Sequence, residues 1–176
     1  MNHEKIANAL KSVLADSYSL YFKTQNFHWN VTGPNFKSLH SLFEEQYTDL
    51  ANAIDEIAER IRWLGQKVPG SLKFYSDLTS ISSSDEHADS ATMIRELIKG
   101  QDLVIKTLKA TLTIARTFDD EGTCDLLIAR IKTHEKNSWI LKSCNFRQQL
   151  FSNIVVFQVR YLRRTNYINS IRQVLI

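Results

Sequence analysis

The feature that most constrains the fold of this chain is an apolar stripe at helical spacing between residues 36 and 64. Gly33-Pro34 interrupts the chain just before the stripe, and proline is well tolerated in the first turn of a new helix. The stripe therefore predicts one long helix over about residues 35–64. Its apolar positions are Phe36, Leu39, Phe43, Leu50, Ile54, Ile57, Ile61 and Leu64.

Side chains that can bind a metal ion accompany this helix. With 3.6 residues per turn, four of them fall within an arc of about 100° beside the apolar stripe: His40, Glu44, Asp55 and Glu59. His28 lies on the inward stripe of the preceding helix and can fold back beside His40. Mixed imidazole and carboxylate ligands with open positions suit iron(II) better than structural zinc, which favours a closed tetrahedral site rich in cysteine.

Distance limits how such a site is built. His40 and Asp55 are 15 residues apart, which is about 22 Å along a helix axis. Metal–ligand bonds are only about 2.0–2.2 Å long, so one chain cannot bring both ends to one ion. An antiparallel copy of the helix, related by a two-fold axis, removes the difficulty. The predicted site therefore combines His28 and His40 of one chain with Asp55 and Glu59 of the partner subunit.

The spacing alone leaves a simpler interpretation open. A histidine near the end of a helix is usually a surface or capping residue, and Asp55 and Glu59 could pair with Arg60 or Arg62.

Two motifs in this region resemble the Dps family of mini-ferritins (DNA-binding proteins from starved cells), and the resemblance covers about residues 1–143. The motifs are His28-Trp29-Asn30-Val31, followed by His40, and Asp55-Glu56-Ile57-Ala58-Glu59-Arg60. The resemblance implies a ferroxidase centre across a dimer interface, formed by His28, His40, Asp55 and Glu59. It also implies twelve subunits in a hollow shell, in which iron(II) is oxidised to iron(III), with hydrogen peroxide as the preferred oxidant, and stored as ferric mineral. Glu44 is a candidate additional ligand.

The remaining helices are expected at about residues 4–29, 90–118 and 122–142, with a long connection over residues 65–89. Such a crossover lets the second and third helices run parallel, as ferritin-like bundles require. The resemblance places a short helix in this connection. We therefore predict an all-α fold: a ferritin-like four-helix bundle over residues 1–143, with a short helix in the long connection between helices 2 and 3.

Several side chains outside the predicted site also carry expectations. Apolar residues in the connection are expected to be buried: Leu72, Phe74, Tyr75, Leu78 and Ile81. Gly100 either allows close packing between helices or has no particular role. Trp29 either packs against its neighbours or intercepts oxidising equivalents. The acidic residues Asp120, Glu121 and Asp125 either favour the dipole of the last helix or, by the resemblance, line a pore that attracts iron(II). His134 and Glu135 are expected at the surface.

Residues 144–176 differ from the rest of the chain. They contain five arginines and no acidic residue, which leaves 17 basic and 19 acidic residues before them. Three interpretations are open: an arm that contacts DNA phosphates, an added element packed on the shell, or a poorly ordered read-through. The few lysines near the N-terminus are an argument against DNA binding, which we keep as the alternative function. With two cysteines, no signal peptide and no apolar run long enough to span a membrane, we expect a cytoplasmic protein, nucleoid-associated if it binds DNA.

Overall fold

The computed structural model describes residues 2–144, which are helical and contain no strand. The helices are α1 (Asn2–Asn30), α2 (Phe36–Trp63), α3 (Leu72–Leu78) and α4 (Ser90–Thr117), followed by α5 over residues 121–144. The predicted all-α fold, including the short helix in the long connection, is confirmed. No helix in this range is long and apolar enough to cross a membrane. The predictions for the C-terminal extension fall on residues 145–176, outside the described residues.

Local sequence signals set the helix boundaries. Gly33 and Gly65 adopt positive φ angles of 104° and 81° at the two ends of α2, a conformation that glycine adopts without a steric penalty. Ser71 caps α3 by accepting a hydrogen bond from the Phe74 amide. Asp89 caps α4 in the same way through Thr92, and these hydrogen bonds hold the pKa of Asp89 below its ordinary value.

The bundle core contains the apolar stripe of α2, packed mainly against α1, which in turn packs against α4. Phe27 and Phe43 are among its largest fully buried side chains. Gly100 allows α4 to pack closely against α1, because a β-carbon at this position would lie 2.7 Å from Cδ1 of the buried Leu20. Phe36, at the start of the stripe, remains exposed.

The long connection is anchored to the bundle by Asp16, a buried carboxylate of α1. Asp16 accepts hydrogen bonds from the Thr79 hydroxyl at 2.9 Å, the Ser80 amide at 2.8 Å and the Thr107 hydroxyl at 2.7 Å. The carboxylate thereby joins α1, the segment after α3, and α4. These donors compensate for the desolvation of the charge.

The prediction that all five apolar residues of the connection are buried is wrong for two of them. Tyr75 and Ile81 are buried and Phe74 is half-buried, but Leu72 is 69% exposed and Leu78 is also exposed. The helix α3 has only two turns and packs one side against α1. Leu72 and Leu78 each lie three residues from the buried Tyr75, and Leu72 lines an open depression between α3 and α1.

The prediction that His134 is a surface residue is also wrong. Its side chain is 1% exposed, and its Nδ1 is hydrogen-bonded to Oε1 of Gln101 in α4 at 2.6 Å. Gln101 in turn donates to Gln46 of α2 across 3.4 Å, so polar side chains replace apolar ones at this level of the core. Glu135 is exposed, as expected, and pairs with Lys109 at 2.9 Å.

Candidate metal centre

The turn between α1 and α2 brings the two predicted histidines into direct contact. His28 lies in the last turn of α1 and His40 in the second turn of α2. Their rings stack with centroids 3.7 Å apart and an interplanar angle of 22°. His28 is buried and His40 is half-buried, so the pair forms one compact group that is partly accessible from outside. The expected fold-back of His28 beside His40 is therefore observed.

The two histidines hold each other in a defined orientation. Nδ1 of His28 is 2.9 Å from the backbone oxygen of His40, and Nδ1 of His40 is 2.8 Å from the backbone oxygen of His28. A carbonyl oxygen only accepts hydrogen bonds, so each Nδ1 must carry the hydrogen. In the neutral imidazole the other nitrogen, Nε2, then keeps its lone pair. This is the arrangement in which a histidine can ligate a metal through Nε2 while Nδ1 is anchored.

Aromatic rings form the surroundings of the histidine pair. Phe36 lies over His40 with centroids 5.0 Å apart, and Tyr47 presents an edge-to-face contact to His28 at 5.2 Å. Trp29 is 65% exposed, so packing within the chain is not its main role. Glu44, one turn after His40, is exposed. The contact with Tyr47 was not predicted, although the spacing from His40 to Tyr47, two helical turns, could have indicated it.

The carboxylates Asp55 and Glu59 lie at the other end of α2 and are both exposed. They line an open depression together with Arg62 and residues 67–68 of the following loop. Within residues 2–144, neither carboxylate forms an ion pair or a hydrogen bond.

The two arginines that could have neutralised these carboxylates are engaged elsewhere. Arg60 donates to the Thr123 hydroxyl at 2.9 Å and pairs with Asp120. Arg62 donates to the backbone oxygen of Gln66 at 2.9 Å. The alternative in which Asp55 and Glu59 pair with Arg60 or Arg62 is therefore wrong.

The chain thus places half of the predicted donor set at each end of one helix. In the described part of the chain, no group of three or more histidine, cysteine, aspartate or glutamate side chains is close enough to hold a metal ion. The site that combines His28 and His40 with Asp55 and Glu59 of the partner subunit, with Glu44 as an additional ligand, stays a prediction.

At the acidic start of α5, Asp120 has a structural role. Burial alone would raise its pKa, but hydrogen bonds from Thr123 and the charge of Arg60 outweigh burial and hold the pKa below its ordinary value. Asp120 also accepts from the Thr123 amide at 3.0 Å, which caps the first turn of α5. Glu121 and Asp125 are exposed, and their role at a pore stays a prediction.

Comparisons with known proteins agree with this architecture. The family model for the ferritin-like domain matches residues 7–145. The chain is 37% identical to DNA protection during starvation protein 2 of Bacillus anthracis over 141 residues, which is 80% of this chain and 97% of that protein. It is 39% identical to an uncharacterised low temperature-induced protein of Nostoc sp. over 140 residues, 78% of each chain.

Solved structures give the same result. A Dps protein from Vibrio cholerae O1, described as a member of a broad superfamily of ferritin-like diiron-carboxylate proteins, matches with a TM-score of 0.78 and 34% identity. That match covers 81% of this chain and 89% of the other. A Dps protein from Bacillus brevis matches with the same TM-score and identity, over 81% and 95% of the two chains.

Proposed function

The chain belongs to the ferritin-like family and within it to the Dps proteins, and from that premise we propose that it is a ferroxidase and iron-storage protein. Iron(II) is the substrate, bound between two subunits and oxidised to iron(III). The observation that carries the proposal is the reciprocal anchoring of His28 and His40, which directs two Nε2 lone pairs from one compact group.

Each half of the donor set has a separate task. His28 and His40 supply neutral nitrogen ligands that bind iron(II) well. Asp55 and Glu59 of the partner subunit supply negatively charged oxygen ligands, which favour the harder iron(III) product. Glu44 is exposed one turn after His40 and adds a further carboxylate on the same helix. The four ligands leave open positions on the metal for an oxidant.

Assembly is part of the proposed activity, because one chain holds its two half-sites at opposite ends of α2. A two-fold axis that crosses α2 near its middle pairs the histidine end of one subunit with the carboxylate end of the other. A shell of twelve subunits, with hydrogen peroxide as oxidant and ferric mineral inside, is supported by the family resemblance. Consuming iron(II) and peroxide together would suppress hydroxyl-radical formation and protect DNA.

An anaerobic titration with iron(II), followed by peroxide, tests the proposal. The wild-type protein should bind iron(II) saturably and develop ferric absorbance rapidly when peroxide is added. The Asp55→Asn/Glu59→Gln variant should keep its helices but lose the rapid phase, because the site loses the two charged oxygen ligands that favour iron(III). Glu56→Gln is the matched control, an exposed carboxylate on the same helix, and should behave like wild type. Wild-type rates in the double variant would refute the assignment.

A DNA-binding protein with a secondary iron site is the alternative, and the five arginines in residues 144–176 favour it. Phosphate contacts make binding steeply salt-dependent because counterions are released. If the alternative holds, the affinity for DNA should fall steeply as the salt concentration rises, and DNA binding should disappear when residues 144–176 are deleted.

A further inference from the structure

The open depression at the carboxylate end of α2 contains charges of both signs. Asp55, Glu59 and Arg62 follow one another at spacings of four and three residues, which places them on one face of the helix. Lys67, in the loop after α2, lines the same depression, whose volume is about 510 Å³. Ligand sites commonly have volumes of this size, so the depression has room for more than a single metal ion.

Hydrogen bonds hold the loop that carries Lys67 against the end of α2. The Gly65 amide donates to the backbone oxygen of Arg62 at 2.9 Å. The Gln66 amide donates to the backbone oxygen of Ile61 at 3.2 Å. The Arg62 guanidinium donates in turn to the backbone oxygen of Gln66 at 2.9 Å. Both cations are therefore attached to the helix end that carries the two carboxylates.

The opposite charges in this depression do not neutralise one another by direct contact. Within residues 2–144, no ion pair joins the two carboxylates to the two cations. Arg62 uses a single donor on Gln66 and keeps the others, and its planar guanidinium matches the geometry of an oxyanion. Lys67 is exposed and adds a flexible ammonium group. The carboxylates thus stay available for iron, and the cations stay available for an anion.

Binding of iron(II) changes the charge balance of the depression. Without the metal, two negative and two positive side chains cancel. The proposed iron(II) substrate adds two positive charges, and the neutral histidine ligands of the partner subunit compensate neither of them. With iron(II) bound, the depression therefore carries a net charge of 2+, and a dianion beside the metal returns this charge to zero.

We infer that Arg62 and Lys67 form an oxyanion subsite beside the iron, which takes a small divalent anion of the phosphate and sulfate class. The inference rests on the proposed function, because the depression attracts a dianion only when iron(II) is bound. The coupling is reciprocal: the anion raises the affinity for iron(II) by the same factor by which iron(II) raises the affinity for the anion. Iron uptake thus depends on the oxyanion as well as on the metal.

Anaerobic iron(II) titration of the full-length protein in two salts tests the subsite without any oxidation step. One buffer contains sodium chloride and the other contains sodium sulfate at the same ionic strength, so that the screening of exposed charges is equal. Sulfate is the probe because it is divalent at neutral pH and leaves iron(II) in solution. The wild-type protein should bind iron(II) at least about fivefold more tightly in sulfate than in chloride.

The Arg62→Gln/Lys67→Gln variant gives the decisive comparison. In chloride it should bind iron(II) more tightly than wild type, because two charges that repel the metal are gone, and sulfate should no longer change the affinity. Damage to the fold would weaken iron(II) binding instead. Lys106→Gln/Lys132→Gln is the matched control: it removes two exposed cations on α4 and α5, changes the net charge equally, and should keep the sulfate effect of wild type.

The outcomes separate the subsite from the function on which it rests. Equal iron(II) affinities of wild type in the two salts, or an undiminished sulfate effect in Arg62→Gln/Lys67→Gln, would overturn the subsite and leave the iron site standing. If wild type binds no iron(II), the proposed function fails and the subsite fails with it. Should the double variant not fold, Lys67→Gln decides, since it keeps the Arg62 hydrogen bond and an unreduced sulfate effect in it contradicts the subsite.

Discussion

At the scale of single residues, His134 shows how strongly burial changes the chemistry of a side chain. Burial lowers its pKa from the ordinary 6.5 to about 3, and the charge of the nearby Arg130 acts in the same direction, with Asp49 opposing. His134 is therefore neutral in the folded protein, with Nδ1 shared with Gln101. A neutral histidine in the core links the stability of the protein to pH.

We expect acid to destabilise the protein through His134. The unfolded chain binds a proton at this residue below about pH 6.5, whereas the folded chain does so only near pH 3. The lowered pKa of His134 therefore has no effect on the free energy of unfolding above about pH 6.5, and below that pH it reduces the free energy of unfolding by up to about 1.4 kcal/mol per pH unit.

Urea denaturation of wild type and His134→Leu at several pH values measures this contribution. The leucine variant should be less stable at neutral pH, because Gln101 loses its buried partner, at a cost of about 1–3 kcal/mol. Its deficit should shrink as the pH is lowered from 7 towards 5. A deficit that stays constant over this range would show that His134 does not bind its proton differently in the two states.

At the scale of the elements, the sequence predicted the long helices well because each has a regular apolar stripe. The stripe of α2 and the Gly33-Pro34 break predicted its limits to within one residue. The failures concern residues whose environment is created by other elements. His134 is buried because α4 supplies Gln101 as its polar partner, which in turn donates to Gln46 of α2. Leu72 is exposed because it lines an open depression between α3 and α1.

The attachment of the α3 connection by Asp16 leads to a prediction at this scale. Asp16→Ala removes the acceptor shared by Thr79, Ser80 and Thr107. Donors left without a partner in a buried position cost about 1–3 kcal/mol. The variant should therefore melt at a lower temperature, and amide hydrogen exchange should accelerate over residues 72–81 before the rest of the bundle.

Asp77→Ala provides the comparison for Asp16→Ala. Asp77 forms an exposed pair with Lys73 inside α3, and such pairs contribute about 0–1 kcal/mol. Its removal should change the melting temperature little and leave exchange in the connection unaltered. Equal effects of the two substitutions would mean that Asp16 does not anchor the connection.

At the scale of the whole molecule, the account depends on the separation of the two half-sites along α2. The residue types and their spacing were readable from the sequence, and so was the separation of the histidines from Asp55 and Glu59 within one chain. The reciprocal hydrogen bonds between His28 and His40 were not, because they involve backbone oxygens brought together by the turn at Gly33. The contact between His28 and Tyr47 likewise required the packing of α1 on α2.

The central claim, that each site is shared between two subunits, is tested most directly by mixing two inactive variants. One carries His28→Gln and His40→Gln, and the other carries Asp55→Asn and Glu59→Gln. Each alone should show no rapid iron(II) oxidation. In a mixed pair, one site receives both substituted halves and the other receives two intact halves.

Co-expression in equal amounts should therefore restore about a quarter of the wild-type rate, since half of the randomly formed pairs are mixed and each has one intact site. Native mass spectrometry of the purified assemblies establishes that both variants are present in one oligomer. Recovery of this activity is the result that the shared site predicts. Mixed assemblies as inactive as either parent would contradict it and would place all ligands of a site within one chain.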